Sequence, residues 1–189
     1  MTVRDLKRLI ARIHNLEDNI SSSVAQTVYR SVVEPEIPWN REKIEKLLAV
    51  TLPSELVQFW DLCSGVRIYE DISYGQWGSI IWSPEKVVDN QVWKTTRFFN
   101  NEDFYFGDII IGEFRGDSAL ALIIRCDRTN SDFGSIIIAS SIDPRDYWYL
   151  AAPSLDIHLE KLLAAQGAMY WEHGFNFDED IKKWLSGDV

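Results

Sequence analysis

Histidine and cysteine are scarce in this 189-residue sequence, with three of the first and two of the second. His14, His158 and His173 lie far apart, and no Cys-x-x-Cys occurs, so the ligand spacings of a zinc site are missing. No metal and no cofactor are expected. Cys63 and Cys126 each sit in an apolar run and read as two buried thiols in a reducing cytosol. A Gly-x-Ser-x-Gly elbow and a Walker phosphate loop are also absent, which removes two common catalytic frameworks. No apolar run is long enough to span a bilayer. The first residues lack the continuous apolar stretch and small-residue cleavage site of a signal peptide. A cytoplasmic location is the expectation.

Basic residues are in deficit. Nineteen Lys and Arg face 29 Asp and Glu, a net charge of -10. The deficit is uneven: residues 1–33 carry a net +2 and the rest a net -12. An acidic body repels nucleic acid and anionic membranes at long range and attracts a basic protein. No basic stripe interleaved with aromatics offsets this. Taken alone this charge reads as solubility, and neither a nucleic acid nor a membrane is the expected partner.

What the chain does have is core material. Hydrophobic residues make up 46% and aromatics 13%, with eight Trp. A chain of this length can bury roughly 70% of its unfolded surface, so it needs no metal or disulfide staple. Most of the Trp rings belong in the core, with one or two free to anchor an interface.

Residues 3–20 read as an amphipathic helix, with Val3, Leu6, Ile10, Ile13, Leu16 and Ile20 at spacings of three and four. Arg4, Lys7, Arg8 and Arg12 come early and Glu17 and Asp18 late, an order that opposes the helix dipole. Val24 to Val33 fits either a helix or an extended arm. Glu34-Pro35-Glu36-Ile37-Pro38 is a linker, because proline pushes its predecessor away from helix. The expected organisation is a helical extension over residues 1–36, packed on a domain over residues 37–189.

Asn40 is placed to cap a helix holding Ile44, Leu47 and Leu48. Pro53 starts the next helix at its first position, with Leu56, Phe59, Trp60 and Cys63 on the apolar face. Gly65 fits the left-handed position that closes a helix. Strands are expected at 66–69, 80–82, 109–111, 120–125, 136–138 and 148–150. A helix starts at Ser83-Pro84-Glu85, another at Ser154, and a last one near Asp178. The strands at 109–111 and 120–125 form an antiparallel pair around a Glu113–Asp117 turn. Helices segregated from strands imply an α+β fold with a single mixed, mainly antiparallel sheet and flanking helices.

Candidate acid–base pairs can be drawn from Glu70, Asp71, Glu102, Asp103, Glu113 and Asp117. With 29 acids in the chain, some pairing always suggests itself, and nothing in the sequence marks one as buried. No catalytic residue is assigned, and the chain is not expected to be an enzyme.

Three motifs in order carry a family resemblance. Leu52-Pro53, Phe59 with Trp60, and Gly65 form a leucine-proline helix start, an aromatic pair and a glycine beyond the helix. Ile111-Gly112, the turn that follows, and Leu120 to Ile124 form an Ile-Gly hairpin. Ser154 then opens a helix with Leu155, Leu159 and Leu162. Over about residues 40–165 this order resembles the SUKH superfamily, which includes bacterial toxin-immunity proteins and a fungal cell-wall-synthesis regulator. The family usually has an aromatic after that serine, where this chain has Leu155. It favours Gly-Asn or Gly-Gly in the central turn, where this chain has Gly116-Asp117. The resemblance implies a non-enzymatic, protein-binding domain. Foremost is a cytoplasmic immunity protein that occludes a toxin domain, with a basic nuclease the match for an acidic body. The alternative is a housekeeping regulatory or scaffold module of the Smi/Knr type. The partner surface is expected at the acidic, glycine-bearing loops: Asp71, Tyr74, Trp77, Glu102, Asp103, Glu113 and Asp117. An aromatic anchor ringed by charge is a common hot-spot arrangement. The competing reading is that Trp77 plugs the sheet edge and the acids are merely solvated.

Overall fold

The structure, a computed structural model, describes residues 3–16, 28–96, 99–116 and 120–172. Its centre is one seven-stranded sheet in which every strand neighbours the next in sequence. The strands are β1 (Tyr29–Glu34), β2 (Gly65–Asp71), β3 (Gly78–Ile81), β4 (Asp108–Arg115), β5 (Leu120–Arg125), β6 (Ile136–Ser140) and β7 (Tyr149–Ala152). All six pairings are antiparallel, so the sheet is a meander and not mixed. Among the described residues six α-helices flank it: α1 (Val3–His14), α2 (Arg41–Leu48), α3 (Ser54–Trp60), α4 (Pro84–Asn90), α5 (Trp93–Thr96) and α6 (Leu155–Ala164).

α1 packs on β1, α6 and α3, burying Leu6, Leu9 and Ile13. The helix ends earlier than the periodicity predicts. With its end at His14, Arg12 and His14 fall in the last turn, where they favour the dipole, while Arg4 and Asp5 offset one another in the first. Glu17 and Asp18, which set the opposing order, lie outside the described residues, as does the helix expected near Asp178. The open choice for Val24 to Val33 resolves as strand over 29–33. β1 pairs with β2 along one edge of the sheet. The expected boundary near residue 37 falls in the connection between β1 and α2.

Local capping signals explain the starts of α2 and α4, whereas Ser154 precedes α6 without a side-chain cap bond. The Asn40 side chain accepts from the Lys43 amide at 2.8 Å, and Ser83 caps α4 ahead of Pro84. Pro53 sits one place outside α3, a difference within the ordinary fraying of helix ends. Leu52, Leu56, Phe59, Trp60 and Cys63 are all buried. Trp60 also donates its indole N–H to the Trp82 carbonyl at 3.0 Å and meets Trp39 edge-on. Burying that N–H with a partner avoids the cost of a lost hydrogen bond.

Gly65 does not cap α3. It begins β2, and a Cβ there would stand 2.6 Å from the Ile81 carbonyl oxygen. Glycine is required because two backbones approach, not because φ is positive. β3 stops at Ile81, and Gln91 carries on its pairing. The Gln91 amide donates to the Ile110 carbonyl at 2.8 Å and accepts from the Ile110 N–H at 3.2 Å. A side-chain amide thus satisfies backbone groups that a longer strand would have paired.

The two cysteines are free and buried. Burial pushes each thiol up to about 12. Among the described residues no helix is long and apolar enough to cross a membrane.

Candidate functional site

Residues opposite one another in register share a face of the sheet. Phe114, Leu122 and Ile138 fall on one face, where Phe114 meets Trp77 and Trp171 edge-on and Trp171 stacks on His158 of α6. That face is core. Arg67, Ile80 and Glu113 fall on the other.

The second face carries a run of alternating charge. Glu34 binds Arg67 at 2.7 Å, and Arg67 reaches Glu70 at 3.4 Å. Glu70 binds Arg115 at 2.9 Å, and Arg115 binds Glu113 at 3.1 Å. A single backbone irregularity makes the run possible. Arg67 and Glu70 are three apart and would lie on opposite faces of a regular strand. Their partners on β1, Val32 and Arg30, are only two apart. The extra residue on β2 is a bulge, with Tyr69 at φ 51°. It returns Glu70 to the face of Arg67, where Glu70 bridges two arginines. Beside this run lies a half-open groove of about 460 Å³, lined by Glu34, Arg67, Glu70, Trp82, Lys86 and Arg115 among others. Lys86 sits over the Trp82 ring at 5.5 Å.

The sequence-expected surface divides in this geometry. Asp71, Tyr74 and Trp77 share the β2–β3 hairpin. Asp71 is buried, and its carboxylate accepts from the Ser73 and Tyr74 amides at 2.8 and 3.0 Å. It organises the turn. Tyr74 is 73% exposed at the tip. Trp77 is half-buried; its indole donates to the Gly167 carbonyl at 3.1 Å, and its ring meets Phe114. Glu113 is in β4, not in a turn, because the strand continues to Arg115. It joins the hairpin through Arg115 and Glu70. Glu102 and Asp103 form a 3-10 turn before β4, at the far end of that strand from Arg115. There Arg145 holds the Asp103 carbonyl at 2.9 Å and pairs with buried Asp108, which also pairs with Arg125. Asp117 lies outside the described residues. The structural motif residues Leu52, Pro53, Phe59, Trp60, Gly65, Ile111 and Gly112 are all buried.

Sequence reasoning missed the charge run. It assigned Glu34 to a linker and gave Arg67 and Arg115 no role. A signal was present in Glu113-Phe114-Arg115, where opposite charges two apart flank a core aromatic. The bulge that recruits Glu70 leaves no comparable mark. Among the described residues no group of three or more His, Cys, Asp or Glu could hold a metal ion.

The seven-stranded meander, buried on both faces at its central strands, its flanking helices and the charged groove beside β2 and β3 define an α+β domain. The chain belongs to the SMI1 / KNR4 family (SUKH-1), which matches residues 39–161, from Trp39 before α2 to Lys161 within α6. Membership supports a protein-interaction domain of an immunity type, in a family that is generally non-catalytic. No curated protein matches the chain.

Proposed function

We propose that the chain is a non-enzymatic immunity protein that binds a basic toxin domain and blocks it by occlusion, with a nuclease the toxin class best matched to its charge. The observation that carries this reading is Tyr74, 73% exposed on a turn that Asp71 fixes, beside a charge run whose two ends are acidic. A fixed, exposed aromatic next to charge offers an anchor at small entropic cost. Net charge of -10 would steer a basic partner towards it. The contact set comprises Tyr74 and Trp77 with Glu70 and Glu113, and Asp71 acts as the organiser of the turn. Glu102, Asp103 and Asp117 are secondary contacts. Two free, buried thiols suit a reducing cytoplasm. Residues 1–36 serve as an extension on the 37–189 body.

Co-expression with candidate toxin domains from the neighbouring locus tests the function directly, with growth as the readout. Rescue by the native chain, weakened by Tyr74→Ala and by Glu113→Lys, is the expected result. Association should also slow as salt rises, since exposed charges are screened beyond about 10 Å at 0.1 M. Absence of rescue, with recovery of one stable cellular partner from a pull-down, would move the assignment to a regulatory scaffold. Binding indifferent to salt and to both substitutions would move the surface to the N-terminal helix.

A further inference from the structure

Five buried side-chain atoms among the described residues have no hydrogen-bond partner, and two of them belong to residues that line one groove. They are Arg67 Nε and Trp82 Nε1, and both are N–H donors. A buried donor without an acceptor is costly. In a native fold such a group points to something that fills it.

Register places both donors on one face. Glu34 on β1 stands opposite Gly65 on β2, and Arg67 lies two places further along β2. Arg67 stands opposite Ile80 on β3, and Trp82 lies two places beyond Ile80. Residues directly opposite, or two apart on a strand, share a face. Glu34, Arg67 and Trp82 therefore surround Gly65, which sets no side chain between them. The slot this leaves is part of the half-open groove of about 460 Å³ beside the charge run.

Charge selects what enters. Arg67, Lys86 and Arg115 line the groove together with Glu34 and Glu70. Both glutamates are already held by the two arginines. Lys86 is exposed and forms no ion pair among the described residues; it lies over the Trp82 ring, 5.5 Å from the centre. Two unpartnered donors and one uncommitted ammonium suit an acceptor that carries negative charge. A lysine or arginine from a partner would instead meet Lys86 as a like charge.

Shape selects its source. Sites for small molecules cover most of their ligand, whereas this groove is half-open and leaves a free anion largely in water. A protein segment brings its own cover. We infer that the groove receives the carboxylate of an acidic side chain presented by a protein partner. Lys86 leaves the Trp82 ring to pair with it, which costs little because an exposed cation–π contact is weak. The carboxylate then reaches the N–H groups of Trp82 and Arg67. This rests on the protein-binding reading above and adds one contact to it; a partner that is basic overall can still present one such acid.

Nuclear magnetic resonance of the ¹⁵N-labelled full chain tests the inference with capped tripeptides. The probes are acetyl-Ala-Glu-Ala-amide, its Gln counterpart, and acetyl-Ala-Ala-Ala with a free chain end. The readout is the Trp82 indole N–H resonance, assigned by its loss in Trp82→Phe. The glutamate peptide should move it downfield and saturably. The glutamine peptide should bind at least about fivefold more weakly, the difference between a charge-assisted and a neutral hydrogen bond. Lys86→Met should weaken the glutamate peptide by a similar factor, and Lys86→Arg should restore most of the binding. Lys46→Met, at an exposed lysine of α2 away from the groove, should change nothing. No movement of the resonance, equal binding of the glutamate and glutamine peptides, or binding that Lys86→Met leaves intact would each overturn the inference. Binding of the free-ended peptide alone would overturn the side-chain source. The growth assay of the preceding section depends on Tyr74 and Glu113 and can succeed or fail independently.

Discussion

Gly112 and Ile80 meet so closely across β4 and β3 that a Cβ on Gly112 would overlap the Ile80 carbonyl oxygen. The obstacle is backbone within a sheet, with no flexible side chain to yield. Gly112→Ala should therefore destabilise by about 3 kcal/mol or more, at or beyond the upper end of ordinary overpacking. Gly65→Ala should cost less, about 1–3 kcal/mol, since its Cβ would stand 2.6 Å from the Ile81 oxygen. Urea midpoints with an unchanged slope measure both. A native-like midpoint for Gly112→Ala would show that β3 can shift.

Trp60 combines full burial with a hydrogen bond to Trp82. Trp60→Ala should cost roughly 3–5 kcal/mol through its cavity. Trp60→Phe removes the N–H and part of the volume, and leaves the Trp82 carbonyl to find another donor, so it should cost about 1–3 kcal/mol. A loss below about 1 kcal/mol for the alanine variant contradicts the packing described.

His158 should govern part of the acid sensitivity. Burial, with a smaller push from Lys161, lowers its pKa from 6.5 to about 3. Nδ1 lies 2.8 Å from the Tyr170 hydroxyl, while Nε2 has no partner among the described residues. Below 6.5 the unfolded chain takes up a proton that the folded chain refuses until about 3. The stability that goes with a neutral imidazole is thus complete above 6.5 and falls as the pH drops towards 3, by up to about 1.4 kcal/mol per unit. His158→Gln cannot titrate there. Its unfolding free energy should change less between pH 7 and pH 5 than that of the native chain. Equal changes in the two proteins would exclude His158 as the source.

Both thiols should be inert in the folded protein, because burial holds each near 12 and leaves almost no thiolate at neutral pH. A thiol reagent should label neither residue before unfolding and both afterwards. Rapid labelling of native protein at pH 8 would show that Cys63 or Cys126 opens to solvent.

The fold was legible where one side chain controls one local outcome. Asn40, Ser83 and Pro84 start helices by capping chemistry that acts within a turn. Leu56, Phe59 and Trp60 mark their buried face by spacing alone. Gly65 was read at the right position for the wrong reason. A glycine that admits a neighbouring backbone looks the same in sequence as one that needs positive φ. The candidate site was less legible still. Asp71 and Tyr74 were visible as loop residues, yet one is a buried turn organiser and the other the exposed tip. Trp77 could have been an anchor or a plug, and its bond to Gly167, 90 positions away, decides how much of it is buried.

By itself the sequence determined the α+β class, the capped starts of α2 and α4, the unpaired cysteines and the acidic charge. All of these depend on composition or on residues within a few positions of one another. Only the tertiary structure decided that Glu34, Arg67, Glu70, Arg115 and Glu113 form one charge run. The physical reason is register. A one-residue bulge at Tyr69 moves Glu70 to the other face of the sheet.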